Sequence, residues 1–155
     1  MTPGIIQAEK AGIPFQLHEY THDAATESYG LEAARKLEID PSRVFKTLVV
    51  SLSDGRLAVA VVPVSSRLNL KALAKTQKVK KAGMAGAVEV ERSTGYVLGG
   101  VSPLGQKKKL DTVVDDSAQN CASLFVSAGR RGLELELAPA DLLRLTNGRY
   151  AAIGI

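Results

Sequence analysis

The strongest constraint on the fold is a pair of apolar, β-rich segments, Phe45–Leu52 and Leu57–Val64, which are separated by a turn containing Asp54-Gly55. An Asp-Gly pair between two such segments predicts a tight hairpin. Side chains alternate between the faces of a strand, and both faces of the first segment are mostly apolar. Because such a strand is covered on both sides, the hairpin is expected inside a layered fold.

One lysine interrupts this apolar pattern. Alternation puts Lys46 on the same face as Leu48 and Val50, whereas Thr47 shares the opposite face with Phe45 and Val49. A buried ammonium without a partner is costly, which leaves two interpretations. The stem could pack on its apolar neighbours while the ammonium reaches water. Alternatively, the ammonium could face a pocket and meet a phosphate, a carboxylate or a developing negative charge.

Caps, turns and alternation predict the other elements. Helices are expected near residues 3–11, 31–37, 70–76 and 139–145. Strands are expected at residues 13–20, 95–101, 112–115, 123–127 and 133–137. In the last strand the leucines should face inward, with Glu134 and Glu136 on the other face. The pattern predicts one α/β domain over residues 1–155, with a sheet that is able to curl into a barrel.

Composition narrows the class of protein. The chain has 155 residues, 45% of them hydrophobic, which is typical of a globular domain rather than a disordered one. No apolar run approaches the roughly 18 residues of a membrane span, and no signal-peptide pattern is present. The single cysteine, Cys121, excludes an intrachain disulfide and predicts a reducing, cytoplasmic setting.

The charge is mildly basic, with a formal net charge of +4. Basic residues cluster in three places, which suits either a solvated surface or a polyanionic partner such as RNA. The clusters are Lys75, Lys78, Lys80 and Lys81; Lys107, Lys108 and Lys109; and Arg130-Arg131.

Metal ligands and activated nucleophiles are poorly supported. His18 and His22 are the only histidines, they lie in a stretch that reads as strand into loop, and no second cysteine accompanies them. They are therefore expected to be ordinary exposed or capping residues. Cys121 has no histidine nearby in sequence, so an inert thiol is favoured over a catalytic one.

Two glycine-containing loops are open to either a structural or a functional interpretation. Gly99-Gly100 directly follows an apolar segment but matches no nucleotide-binding motif. Backbone N–H groups at such a place can approach a ligand closely and hold a developing oxyanion. The loop Ser127–Gly132 has the same character, with two added guanidinium groups.

The combination VFKTLVV, RSTGYVLGGVSPLGQKKK and FVSAGRRGLELEL resembles the YbaK/EbsC family. These proteins are free-standing relatives of the editing domain inserted in bacterial prolyl-tRNA synthetases. The likeness spans essentially the full chain and is greatest to the YbaK branch, the Cys-tRNA(Pro) deacylases. It implies a mixed, mostly antiparallel β-barrel-like sheet with flanking helices. It also implies removal of cysteine from mischarged tRNA(Pro), with no cofactor or metal and with prolyl-tRNA synthetase as partner.

The resemblance also implies which residues form the site. Glu134 stands where the YbaK branch usually has Asp, which puts its positional role in doubt. The candidate catalytic residues are Lys46 from a Lys-Thr motif and the pair Gly99 and Gly100. The candidate substrate-binding residues are Tyr20, Thr47, Ser127 and Glu134, and the candidate tRNA-binding residues are Lys107, Lys108, Arg130 and Arg131.

The resemblance implies substrate-assisted cleavage. In this mechanism the substrate's own thiol attacks its carbonyl, and the cysteine leaves as a thiolactone. Lys46 would then orient the terminal phosphate or ribose, or stabilise the leaving 3′ oxygen, while Gly99 and Gly100 polarise the carbonyl. Two alternatives stay open. One is an Ala-tRNA(Pro) deacylase that uses water, and the other is a tRNA-binding module without catalysis.

Overall fold

A computed structural model describes residues 1–26 and 28–155. Within these residues the helices are Pro3–Ala11 (α1), Tyr29–Leu37 (α2), Leu70–Thr76 (α3), Ala87–Thr94 (α4) and Pro139–Thr146 (α5). The strands are Gln16–Glu19 (β1), Phe45–Leu52 (β2), Leu57–Pro63 (β3), Ala82–Met84 (β4), Asp111–Asp115 (β5), Leu124–Arg130 (β6), Leu133–Leu137 (β7) and Arg149–Ala151 (β8). None of the described helices has the length and apolar character needed to cross a membrane.

The strands form two sheets. One is antiparallel with the order β1-β7-β6, and the other is mixed with the order β4-β2-β3-β5-β8. A bridge between Val44 and Phe125 connects the beginning of β2 with β6. The predicted α/β class, with mostly antiparallel pairing and flanking helices, is confirmed. The sheets do not close into a barrel in the described part of the chain, because the outer edges of β1, β4 and β8 have no strand partner there.

The main core fills the space between the two sheets. The leucines of β7 face it together with Phe45 of β2 and Val61 of β3, and helices α1 and α5 cover its sides. The other face of β2 and β3 packs beneath α3, where Leu73 meets Val50 and Val62. The hairpin is therefore covered on both faces, as its apolar pattern predicts.

The predicted strand at residues 95–101 is wrong. Helix α4, which the sequence did not indicate, ends here because Gly95 adopts a left-handed φ of 83° and its N–H donates to Glu91 O. The following residues form a turn, in which Gly100 N–H donates to Val97 O at 3.0 Å. The sequence does not predict helix α4 because the helix has no apolar stripe. Its only buried apolar residue is Val90.

Gly105 and Gly12 form a matched pair for measuring a tight backbone contact, because both have a φ of +68°. A Cβ on Gly105 would lie 2.5 Å from Pro3 O and 2.6 Å from Gly4 N, whereas nothing lies within 4 Å of a Cβ on Gly12. Gly12→Ala should lower the free energy of unfolding by about 1 kcal/mol through backbone strain alone. Gly105→Ala should lower it by at least about 3 kcal/mol, because overpacking is added. Equal urea midpoints for the two variants would contradict this contact.

Candidate functional site

A cavity of about 300 Å³ opens between β2 and the connection from β6 to β7. The beginning of α2, the loop before Val101 and the end of β1 complete its walls. Its lining residues are Tyr20, Ser28, Tyr29, Gly30, Val44, Phe45, Lys46, Thr47, Leu48, Leu98, Gly99, Val101, Ser127, Arg130, Arg131 and Glu134. The volume is at the small end for ligand pockets and suits a small group or the end of a larger molecule.

The cavity lies where β2 has a free edge. On this side β4 pairs with β2 only from Val50 to Leu52, and Val44 bridges to Phe125. Between these contacts, residues 45–48 have no strand partner on this side among the described residues. A free strand edge is accessible from both faces, so Lys46 and Thr47 line the same cavity although their side chains alternate.

Lys46 is half-buried in this wall. Burial is the main cause that lowers the pKa of its ammonium, and the nearby charge of Arg67 lowers the pKa further. Within the described residues no carboxylate forms an ion pair with Lys46. Lys46 thus lines the cavity without a carboxylate partner, and its binding of an anionic group stays a prediction.

Arg67 is a charged neighbour that sequence reasoning missed. It lies between β3 and α3 and is held by backbone hydrogen bonds in both directions with Ile155. Nothing in its local sequence distinguishes it from an ordinary surface arginine. Its proximity to Lys46 arises only from the fold.

Thr47 lines the cavity, and its hydroxyl lacks a hydrogen-bond partner among the described residues. The Oγ1 atom is buried. Buried hydroxyls are usually hydrogen-bonded, because a desolvated polar group without a partner costs free energy. Because this oxygen is inaccessible in the conformation described, a ligand could bond to it only after the Thr47 side chain rotates toward the cavity.

Glu134 supplies the carboxyl group of the cavity. It lies opposite Ser127 across the β6–β7 pair and is 7% exposed. Burial raises the pKa of its carboxyl from 4.5 to about 8. Burial also raises the pKa of Tyr20, and the nearby charge of Glu134 adds to that effect. These contacts are consistent with the prediction that Glu134 and Glu136 share one face of β7. Where this face meets the cavity, it is buried.

A bulge near the end of β6 shapes the opposite wall. The pairing register shifts between Ser127 and Arg130, and Gly129 adopts a φ of 120°. Ser127 Oγ accepts a hydrogen bond from Gly129 N–H at 3.1 Å. Bulges redirect side chains, and this one places Arg130 and Arg131 at the cavity.

Gly99 and Gly100 are placed differently. Gly99 lines the cavity with a φ of 89°, and its N–H has no acceptor among the described backbone hydrogen bonds. Gly100 is buried outside the lining, and its N–H already donates to Val97 O. The Gly100 N–H is therefore not free to polarise a substrate carbonyl in this conformation, in contrast to what the Gly-Gly pattern implied.

The two lysines predicted to bind tRNA lie away from this cavity. The stem of Lys107 packs over Gly95, and Lys108 lines a separate cavity of about 450 Å³ together with Lys109 and Arg144. Any contact with these lysines would involve a part of the ligand outside the first cavity.

The histidines and the cysteine are not part of the cavity lining. His18 Nε2 lies 2.9 Å from Glu136 Oε1, and His22 Nδ1 lies 2.7 Å from Glu32 Oε1. Cys121 is half-buried, and burial is the main cause that raises the pKa of its thiol. All three residues are accounted for by local packing and pairing.

Glu32 is a further residue that sequence reasoning missed. It is 2% exposed, and its second oxygen accepts from Asp23 N–H at 2.8 Å. Together with the contact to His22, this holds the segment after β1 against α2. Burial raises the pKa of Glu32, but these hydrogen bonds outweigh it and lower the pKa to about 2. A carboxylate is thus used to anchor the wall that carries Tyr20 and Tyr29.

Comparisons with known proteins show which family the sequence matches. The sequence pattern of a family described as "Aminoacyl-tRNA editing domain" matches residues 24–145. EbsC of Enterococcus faecalis, provisionally named a Cys-tRNA(Pro)/Cys-tRNA(Cys) deacylase, is 38% identical over 98% of this chain and 92% of its own.

Solved structures show the same fold. The crystal structure of hypothetical protein APE2540 is 27% identical, covers 99% of this chain and 100% of its own, and gives a TM-score of 0.88. A structure provisionally described as a trans-editing enzyme for prolyl-tRNA synthetase is 22% identical, covers 100% of this chain and 99% of its own, and gives a TM-score of 0.85. The resemblance to the YbaK/EbsC family is thereby confirmed.

Glu134 and Glu136 provide a matched test of the buried carboxyl. Between pH 4.5 and 8 the folded chain keeps a proton on Glu134 that the unfolded chain releases, so stability should fall as the pH rises. Glu134→Gln should remove this fall and raise the free energy of unfolding at pH 9 by about 2 kcal/mol or more, with little change at pH 4.

Glu136→Gln is the control, measured by urea unfolding across the same pH range. Glu136 accepts a hydrogen bond from Ser123, and burial is outweighed by its polar contacts, so its pKa is lowered. This substitution should destabilise the protein at neutral pH. Parallel curves for wild type and Glu134→Gln would show that Glu134 is not a desolvated acid.

Proposed function

The chain belongs to the aminoacyl-tRNA editing domain family, and we propose that it acts in trans to remove cysteine from mischarged tRNA(Pro). The observation that carries this proposal is the composition of the cavity. It combines an ammonium, an unpaired hydroxyl, a buried carboxyl and a glycine amide. These groups match the polar atoms at the aminoacylated end of a tRNA.

Each group has a proposed partner on the substrate. Glu134 is the only carboxyl among the described lining residues, and its carboxyl oxygen accepts a hydrogen bond from the α-amino group of the amino acid. The Gly99 N–H donates to the ester carbonyl oxygen. The Thr47 side chain rotates toward the cavity, and its Oγ1 gains the missing hydrogen bond from the terminal ribose. Lys46 stabilises negative charge on the leaving 3′ oxygen.

The nucleophile comes from the substrate. Neither a cysteine nor a histidine lines the cavity in the described part of the chain, so the lining serines Ser28 and Ser127 have no histidine base in the lining to activate them. The thiol of the bound cysteine attacks the ester carbonyl carbon, and the bond to the 3′ oxygen breaks. The thiol proton passes to that oxygen, so the products are free tRNA and a cysteine thiolactone. Water later opens the thiolactone.

The protein supplies orientation and electrostatic stabilisation in this mechanism. Binding holds the substrate thiol near its own ester carbonyl. This reactive conformation is rare in the free substrate and becomes the main one in the complex. Preorganised donors at the carbonyl oxygen and at the leaving oxygen are each worth large factors in rate. A half-buried Lys46 is suited to this role, because its charge is only partly screened by water.

The rest of the tRNA is proposed to lie outside the cavity. Arg130 contacts phosphate near the acceptor end, and Lys107 and Lys108 contact phosphate further away. Such contacts position the ligand but do not read its sequence. Selection of tRNA(Pro) is therefore proposed to come from prolyl-tRNA synthetase as a partner, in the cytoplasm.

The substrate panel tests this function. Purified protein is incubated with Cys-tRNA(Pro), Ser-tRNA(Pro) and Ala-tRNA(Pro), with and without prolyl-tRNA synthetase, and the remaining ester is measured. The cysteinyl ester should be cleaved at least about 100-fold faster than the others, because only a thiol is a strong internal nucleophile. Comparable cleavage of the alanyl ester would indicate water as nucleophile, and tRNA binding without cleavage would indicate a binding module.

Lys46→Ala should lower kcat on Cys-tRNA(Pro) by about 100-fold, as expected for loss of one electrostatic contact in the transition state. Lys71→Ala is the matched control, because Lys71 is an exposed lysine on α3. It should leave turnover unchanged. Equal loss in both variants would attribute the effect to overall charge rather than to the site.

Cys121→Ser should retain deacylation within about twofold of wild type, because its thiol has a raised pKa and lies outside the cavity lining. The measurement is the initial rate on Cys-tRNA(Pro), with unfolding by urea as a check on folding. Loss of activity in a folded Cys121→Ser protein would replace the substrate thiol by an enzyme thiol in the mechanism.

A further inference from the structure

We propose that Arg131 is a positioning residue that orients the Gly99 N–H, and not a contact for tRNA phosphate. The inference rests on the proposed function, since the Gly99 N–H is the donor assigned to the substrate carbonyl. It also separates Arg131 from its neighbour Arg130, although the two are adjacent in sequence and both line the cavity.

The guanidinium of Arg131 is engaged within the protein. Its Nη2 donates a hydrogen bond to Leu98 O at 3.1 Å. Its central carbon lies 3.8 Å from the centroid of the Tyr29 ring, which is a close cation–π contact. Arg131 thereby connects the β6–β7 turn with the loop before Val101 and with the first residue of α2.

The hydrogen bond to Leu98 O determines the direction of the Gly99 N–H. Both groups belong to one peptide unit, which is planar and trans, so the C=O and the N–H point in opposite directions. A donor that holds Leu98 O therefore also fixes where the Gly99 N–H points. A charged donor at the oxygen polarises the same peptide and strengthens the N–H as a donor.

Contacts around Gly99 restrict this peptide further. A Cβ on Gly99 would lie 2.5 Å from Arg131 Nε and 2.7 Å from Tyr29 Cε2. The guanidinium and the ring thus lie directly against the glycine backbone. With a φ of +89°, Gly99 holds a conformation that other residues rarely adopt. The loop is consequently held by three contacts, and Arg131 takes part in two of them.

Arg130 provides the contrast that makes the inference testable. Its side chain is exposed and, among the described residues, forms no ion pair and no hydrogen bond. It is free to bind phosphate. Arg130→Gln and Arg131→Gln each remove one positive charge, at adjacent positions. Comparing the two variants therefore separates orientation from electrostatic attraction.

The structural test uses a tryptophan reporter. The chain contains no tryptophan, so Tyr29→Trp introduces a single fluorophore beneath Arg131. In this background Arg131→Gln should raise acrylamide quenching of the tryptophan, because the ring loses its cover, and Arg130→Gln should leave quenching unchanged. Equal quenching in all three proteins would overturn the proposal, and this outcome does not depend on catalytic activity.

The kinetic test compares deacylation of Cys-tRNA(Pro). Arg131→Gln and Arg131→Lys should each lower kcat by about tenfold or more with little change in KM, because a misdirected amide no longer supports the transition state. Lysine keeps the charge but lacks the planar fork, so it should not rescue. Arg130→Gln should raise KM and leave kcat nearly unchanged.

Salt dependence gives an independent readout. If Arg131 bound phosphate, Arg131→Gln would reduce the slope of log affinity for tRNA against log salt concentration by about 0.7 to 0.9. The slope should change in this way for Arg130→Gln and stay at the wild-type value for Arg131→Gln. A reduced slope and raised KM for Arg131→Gln, with normal kcat, would overturn the proposal. A wild type that cleaves no ester would instead overturn the proposed function, and the quenching result would still decide whether Arg131 covers Tyr29.

Discussion

The free edge of β2 is the constraint on which the site depends. If β4 paired with the whole of β2, residues 45–48 would be enclosed on both sides and no cavity would form. Because β4 is only three residues long, the edge stays open between the Val44–Phe125 bridge and Val50. Free edges usually invite pairing with another strand, and here loops and the beginning of α2 surround the edge instead. The open edge lets both faces of one strand contribute to a single site.

Burial then tunes the charged groups at this edge. It lowers the proton affinity of Lys46 and raises that of Glu134, since removing water disfavours the charged form of either group. No ion pair joins the two within the described residues, so each remains available to a ligand. Glu32, outside the cavity lining, shows the opposite outcome, because hydrogen bonds stabilise its charge despite burial. Desolvation alone therefore does not decide the protonation state, and the number of donors around each carboxyl does.

The wall opposite β2 depends on close backbone packing. A bulge at Gly129 redirects the end of β6, and Gly99 brings the neighbouring loop against Arg131 and Tyr29. A Cβ at either glycine would meet a neighbouring side chain at 2.7 Å or closer. Both glycines are therefore required by contacts with residues distant in the sequence.

Much of the fold could be predicted from local sequence. The Asp-Gly hairpin, the alternating leucines of β7 and the capped helices α1 and α3 each carry their own signal within a few residues. Short strands such as β4 and β8, and helix α4 with its single buried apolar residue, lack such a signal, because their stability comes from contacts with other elements.

The candidate site, like the fold, has features that local sequence indicates and features that depend on contacts between distant residues. Local patterns in the sequence identify Lys46 as an unusual charge on an apolar strand and relate the chain to an editing family. The folded chain alone reveals that Lys46 and Thr47 share a cavity, that Arg67 approaches Lys46, and that adjacent arginines have different surroundings. The physical reason is that pairing at a strand edge, burial of a carboxyl and the direction of a peptide N–H are set by residues far away in the chain.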